Sequence, residues 1–165
     1  YEKDILLDTG GGITKALDLI SSDPFFIFNS DTNRVDYKRD YLTKMLDYWN
    51  AKKMDFLLLL YPVEKAKKYF KNGDFNLSNM NLVTRGKKNV SRNYIYTGIC
   101  LASQFQFNNN LGRVYSINEL WDNSIEKSKL YGIVFNGDWL HVGSPEEIIY
   151  AEKKLEINNL NLRIL

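Results

Sequence analysis

Apolar side chains recur along this chain in two rhythms. Phe25-Phe26-Ile27-Phe28 and Phe56-Leu57-Leu58-Leu59-Leu60-Tyr61 are unbroken runs of strand length. Runs apolar on both sides of the pleat predict strands covered on both faces. Tyr94 to Leu101 mixes aromatic and β-branched residues as strands do, and Leu130 to Phe135 predicts another strand. Elsewhere the spacing changes to three and four. Ile13, Ala16, Leu17 and Ile20, then Leu42, Met45, Leu46 and Trp49, then Ile117, Leu120, Trp121 and Ile125, each mark one face of a helix. The best-marked helix start is Ser144-Pro145-Glu146-Glu147. It has a capping serine, a proline at the first helical position and a glutamate three residues after the cap, ahead of Ile148, Ile149, Ala151 and Leu155. Helices alternating with buried strands predict an α/β sandwich with parallel neighbours. Residues 62–92 loosen into Lys, Asn and Gly around Phe75, Leu77, Leu82 and Val83, which reads as short strands and loops over one end of the sheet. No repeat or linker divides the chain, so one domain is expected over residues 1–155, with an Asn-rich tail over 156–165 that has no clear period.

Composition narrows the function classes. The 165 residues, 44% hydrophobic and 25% charged, suit one globular core. A formal charge of +2 is too small for an electrostatic grip on nucleic acid. Lys65-Ala66-Lys67-Lys68 and Arg85-Gly86-Lys87-Lys88 read as solvated surface or as contacts to an anionic ligand. A single cysteine, Cys100, rules out an intrachain disulfide or a cysteine-based zinc site. The longest apolar run is far shorter than the ~20 residues of a membrane helix, and the amino terminus has no signal-peptide pattern, so a cytoplasmic chain without a membrane partner is expected.

Two early segments carry the chemical interest. Gly10-Gly11-Gly12 reads as a glycine-rich turn entering a helix, either a plain flexible turn or a place where backbone amides approach a flat or phosphorylated ligand. Asp31 ends the first apolar strand, where burial of its charge calls for compensation by a divalent cation or for a turn-capping role. Together they point toward nucleotide chemistry. Gly98, inside a strand, marks a bulge or a close approach by a ligand or another backbone. His141, the only histidine, is either a hydrogen-bonded structural residue or a metal ligand completed by carboxylates, phosphates or water. No spacing selects a serine-histidine-acid arrangement or a pair of glycosidase carboxylates.

In order, Leu7-Asp8-Thr9-Gly10-Gly11-Gly12-Ile13, Asn29-Ser30-Asp31, Tyr96-Thr97-Gly98-Ile99 and Trp139-Leu140-His141-Val142-Gly143-Ser144-Pro145-Glu146 resemble sugar-1-phosphate nucleotidyltransferases. The nearest branch is the short bacterial enzymes named mannose-1-phosphate guanylyltransferases or N-acetylmuramate-1-phosphate uridylyltransferases. The resemblance implies a three-layer α/β/α sandwich with a Rossmann-like mixed sheet, of the nucleotide-diphospho-sugar transferase type. It implies substrates, a nucleoside triphosphate and a sugar-1-phosphate, joined with release of pyrophosphate. By the same resemblance Gly10, Gly11 and Gly12 lie against the base, and Asn29 and Ser30 lie near the ribose. Asp31 binds a catalytic Mg2+ or Mn2+, Thr97 and Gly98 line the sugar pocket, and Asn118 and Glu119 face the sugar. His141 stands where many relatives carry a second metal-binding aspartate, and imidazole suits Mn2+ better than Mg2+.

One departure from the family is large. The strand, arginine-bearing glycine loop and Pro-Lys-Pro segment that open family members do not occur in this sequence. The expectation is therefore an amino-terminally truncated fold, the carboxyl-terminal portion of such an enzyme and inactive alone. The strand carrying Asn29 would have an unpaired edge, so the chain is expected to be poorly stable, to self-associate or to pair with a separate amino-terminal polypeptide. The alternatives are a non-catalytic nucleotide- or sugar-phosphate-binding module, the remnant of a decaying gene, or a plain α/β domain whose motifs are structural.

Overall fold

The computed structural model describes residues 2, 5–35, 40–66, 72–86, 91–108 and 110–162. In chain order its elements are α1 (Asp8–Ala16), β1 (Phe25–Phe28), β2 (Thr32–Val35), α2 (Tyr41–Tyr48), β3 (Phe56–Pro62), the short α3 (Val63–Ala66), β4 (Asn76–Leu77), β5 (Val83–Thr84), β6 (Tyr94–Ala102), α4 (Ile117–Glu126), β7 (Leu130–Val134), β8 (Asp138–His141) and α5 (Pro145–Leu162). Three-residue and four-residue 3₁₀ turns follow α1 and β6.

The continuous apolar run of β3 is explained by its position inside the main sheet, with a core on each face. Phe56, Leu58 and Leu60 enter one core with Phe75, Phe107, Trp121 and Leu130. Leu57, Leu59 and Tyr61 enter the other with Met45, Ile99, Phe135 and Trp139. Each fully buried leucine contributes about 1.5–3 kcal/mol relative to exposure. The sheet order is β1-β6-β3-β7. Only β3 and β7 run parallel; β1 with β6 and β6 with β3 are antiparallel. The sheet is thus mixed, and the expectation of parallel neighbours holds for one pair. Among the described residues β1 has a single strand neighbour, and its last residue, Phe28, is 50% exposed, so this run is not covered on both faces.

Three further differences from the sequence reading have physical reasons. Gly10, Gly11 and Gly12 lie inside α1 rather than in a turn before it. Their lack of side chains lets the helix meet Tyr115, whose ring a Cβ at Gly10 would overlap, and the backbone of Arg113, which a Cβ at Gly11 would overlap. Second, β2 and β8 form a separate antiparallel pair that no apolar run announced, because Thr32-Asn33-Arg34-Val35 is a polar strand. Third, α5 continues through residues 156–162, where the spacing showed no period. Its start is the one expected: Ser144 Oγ accepts from the Glu147 N–H at 3.4 Å, and the Ile148 N–H donates to the Ser144 carbonyl. Lys67, Lys68, Lys87 and Lys88 of the two basic clusters lie outside the described residues, as do residues 163–165. No described helix is long and apolar enough to cross a membrane.

Cys100 is fully buried in the β6 core, and burial pushes its thiol far above the ordinary range. Thiolate is the reactive form, so native protein should resist iodoacetamide while denatured protein reacts fully. Mass spectrometry of the two samples checks this, and alkylation of the folded chain would contradict the packing of β6.

Candidate functional site

The site is organised by an irregularity in β6. Cys100 pairs with Leu58 and Tyr96 with Leu60, so Thr97, Gly98 and Ile99 stand opposite Leu59 alone. Gly98 has φ +85°, which a residue with a Cβ adopts only with strain. A Cβ there would also lie 2.9 Å from Asn29 Cβ and 2.5 Å from Thr32 Oγ1. The glycine therefore serves both a bulge and a close approach, and what approaches is the segment between β1 and β2. That segment is held by the Asn29 N–H, which donates to the Gly98 carbonyl at 2.8 Å.

The bulge redirects Thr97 as well. Its hydroxyl donates to the Leu59 carbonyl at 2.9 Å, and its own carbonyl accepts from Arg34 Nη1 at 3.0 Å and from Trp139 Nε1 at 3.1 Å. Arg34 lies on β2 and Trp139 on β8, so one carbonyl ties the outlying pair of strands to the main sheet. Arg34 is itself half-buried; burial lowers its pKa, and Tyr41 and Tyr96 partly offset this.

Pairing of Thr32 with His141 brings the end of β8 beside the turn that carries Asp31. The Val142 N–H donates to the Asp31 carbonyl at 2.9 Å. His141 Nε2 lies 3.8 Å from Asp31 Oδ2, and His141 Nδ1 lies 2.9 Å from Glu147 Oε2. Burial alone would raise the Glu147 pKa, yet hydrogen bonds with His141 and Ser144 hold this carboxyl below its usual value. The Asp31 side chain is 54% exposed, so its charge is not a buried one in need of compensation, and the element that follows is a strand rather than a helix to be capped. Among the described residues no group of three or more His, Cys, Asp and Glu side chains is arranged to hold a metal ion.

A cleft of about 450 Å³ opens between the start of α1, the end of β1, Tyr96 of β6 and the start of α4. Its walls are largely apolar and aromatic (Ile13, Ile27, Phe28, Tyr96, Trp121), with Asp8, Thr9, Asn29, Ser116 and Asn118 as charged or polar residues. Of the residues singled out from sequence, Gly12, Asn29 and Asn118 line this cleft. The Gly10 and Gly11 amides are not presented to it: both N–H groups donate to the Tyr115 carbonyl, at 3.0 and 3.2 Å. Thr97 is fully buried, so its side chain does not face a pocket, and Gly98 lies behind Asn29. Ser30 is exposed in the turn before Asp31. Asn118 Oδ1 accepts from Arg85 Nη2 at 2.6 Å, while Glu119 pairs with Arg113 at 3.1 Å. Arg85 also pairs with Asp122 and stacks over Phe75, so this member of the basic cluster is anchored rather than free in solvent.

Sequence reasoning missed Glu147, Arg34, Phe28 and Trp121. Glu147 reads from sequence as a helix-cap residue, and its six-residue distance from His141 is the only signal of the pairing. Phe28 and Trp121 carried core-like signals, and the polar β2 gave none.

No protein-family model matches the chain. It is 26% identical over 149 residues to the N-acetylmuramate alpha-1-phosphate uridylyltransferase of Caulobacter vibrioides, a match over 90% of this chain and 62% of that protein. HddC of Yersinia pseudotuberculosis, solved in complex with GMP-PN, superimposes with a TM-score of 0.67 at 20% identity, over 93% of this chain and 64% of that one. UDP-glucose pyrophosphorylase, solved with UDP-glucose, superimposes with a TM-score of 0.72 at 13% identity, over 94% of this chain and 64% of that one. The chain thus spans less than two thirds of the length of each. The resemblance to sugar-1-phosphate nucleotidyltransferases is borne out by this relative, and the neighbours show the fold to be that of the nucleotide-diphospho-sugar transferases.

Two substitutions test the bulge. Gly98→Ala should lower stability by about 2–5 kcal/mol, combining left-handed strain with overpacking against Asn29. Thr97→Val should cost about 1–3 kcal/mol, because it strands the buried Leu59 carbonyl without a donor. Urea unfolding measures both, and unchanged midpoints would remove the bulge from its organising role.

Proposed function

We propose that this chain supplies the nucleoside- and metal-binding side of a nucleotidyltransferase that joins a nucleoside triphosphate to a sugar-1-phosphate and releases pyrophosphate. The observation that carries the reading is the meeting of Asp31 and His141, far apart in sequence, two residues along from cleft-lining Asn29. The aromatic and apolar walls of the cleft suit the faces of a base and ribose, with Asn29, Ser116 and Asn118 to orient them.

The residues present fit a divalent cation. Asp31 offers a hard oxygen and His141 a nitrogen, two ligands rather than a cage, and substrate phosphates would complete the set. When bound, such an ion neutralises phosphate charge. The chain's own part is to position: the cleft orients the nucleoside and the Asp31 turn places the phosphates. The sugar phosphate oxygen is already an anion when it attacks the α-phosphorus in line with the departing pyrophosphate. No general base is required for that attack.

One observation favours a second reading. Among the described residues lining the cleft there is no lysine or arginine. A triphosphate needs such cations and the described walls supply none, whereas a non-catalytic nucleotide- or sugar-phosphate-binding module does without them.

The test is pyrophosphate release from the chain, alone and mixed with a polypeptide that carries the amino-terminal third of the Caulobacter vibrioides relative. Each nucleoside triphosphate is supplied with sugar-1-phosphates, including N-acetylmuramate 1-phosphate, and Mg2+ or Mn2+. Release that falls roughly 10²–10³-fold in Asp31→Asn supports the transferase. Nucleotide binding by calorimetry without release supports the binding module, and neither would overturn both readings.

A further inference from the structure

The His141 ring is constrained on several sides. Glu147 Oε2 lies 2.9 Å from Nδ1, and the Trp139 ring lies 6.0 Å away between centroids. Gly143 completes the enclosure, since a Cβ there would overlap the imidazole Cε1. The turn from β8 into α5 is thus shaped around one ring orientation.

That orientation has a chemical consequence. A ring nitrogen at 2.9 Å from a carboxylate carries the proton, because an unprotonated nitrogen would set lone pair against lone pair. With the proton on Nδ1, the lone pair of the neutral ring is on Nε2, and Nε2 is the atom directed at Asp31 Oδ2. Their 3.8 Å separation is too long for a hydrogen bond. Carboxylate, imidazole and ligating nitrogen in this order form the outer-shell arrangement that orients histidine toward metals and raises its basicity.

We propose that Glu147 is a positioning residue: by accepting the Nδ1–H of His141 it fixes the tautomer whose Nε2 turns toward Asp31, and so makes the Asp31–His141 pair a nitrogen-and-oxygen site that prefers Mn2+ to Mg2+. This rests on the metal assignment above but not on the transfer reaction. It gives Glu147 a task beyond the helix-start pattern of Ser144-Pro145-Glu146-Glu147. The Ser144 cap persists without the Glu147 side chain, since the bond it makes there is to the backbone N–H of residue 147.

Because His141 is the only histidine, nitrogen NMR of the side chain reads its tautomer without assignment. At mildly alkaline pH the wild-type ring should be the Nδ1–H form, and Glu147→Ala should shift it toward Nε2–H. Glu147→Gln keeps an acceptor oxygen and should retain the wild-type tautomer. Mn2+ alone, titrated and counted by electron paramagnetic resonance, should bind about 10–100-fold more weakly to Glu147→Ala. Mg2+ should displace Mn2+ from the wild type only in large excess. An Nε2–H wild-type ring would overturn the proposal. So would a Glu147→Ala chain with unchanged tautomer and Mn2+ affinity, or a wild type that binds no Mn2+. If Glu147→Ala fails to fold, the wild-type tautomer and the Glu147→Gln chain decide. A chain with the expected tautomer and Mn2+ affinity that never releases pyrophosphate would sink the transfer reading and leave this one standing.

Discussion

One backbone carbonyl, that of Thr97, connects the parts of this molecule that matter for its chemistry. In a regular ladder it would pair with β3. The bulge in β6 turns it instead toward Arg34 and Trp139, which hold the β2–β8 pair against the main sheet. The Leu59 carbonyl facing the bulge accepts the Thr97 hydroxyl. A bulge in the middle of a core strand leaves polar groups to satisfy, and here the Thr97 and Gly98 carbonyls serve as tethers. Gly98 is required at the same place because the Asn29–Thr32 segment presses on it. The position of Asp31 relative to His141 therefore follows from a defect in β6, a strand that carries neither residue.

Much of the architecture was legible because hydrophobic pattern reports burial. The run Phe56–Tyr61 predicted a strand covered on two sides, and its alternate residues do enter two separate cores. The apolar positions Ile117, Leu120 and Trp121 of α4 are buried, whereas on α2 Met45 is buried, Leu42 and Trp49 are partly covered and Leu46 is exposed. Strand direction was less legible, since an unbroken apolar run signals two-sided burial whether its neighbours run parallel or antiparallel. The β2–β8 pair was invisible for a related reason: its strands are short, one is polar, and their cohesion comes from backbone pairing and the Thr97 carbonyl. The Gly10–Gly12 motif misled about local structure because glycine is compatible with a turn and with a helix that must pack closely on an aromatic ring.

For the site, residue spacing alone left both Asp31 and His141 open between structural and chemical roles. The order of four motifs pointed to their pairing, and the geometry brings the two within 3.8 Å. Thr97 shows the opposite outcome, since a motif residue expected beside a sugar is a buried structural link. Glu147 was concealed by a second legitimate signal. A glutamate three residues after a capping serine satisfies a helix-start pattern so well that its carboxylate needs no further explanation, yet that carboxylate is joined to His141.

The charges around the cleft are one-sided, and this bears on the proposed cation. Asp8 lines the cleft, Asp31 lies two residues beyond Asn29, and Glu147 stands behind His141, while no described lysine or arginine lines the walls. A phosphorylated ligand entering here brings further negative charge against these carboxylates, and such repulsion grows as water is excluded. Asp31 is exposed and thus costs little while the cleft is open. Its charge becomes unfavourable only when a phosphate arrives. Under the proposed metal assignment, a cation shared between the carboxylate and the phosphate would turn that repulsion into attraction, so that each of ligand and metal would strengthen the binding of the other.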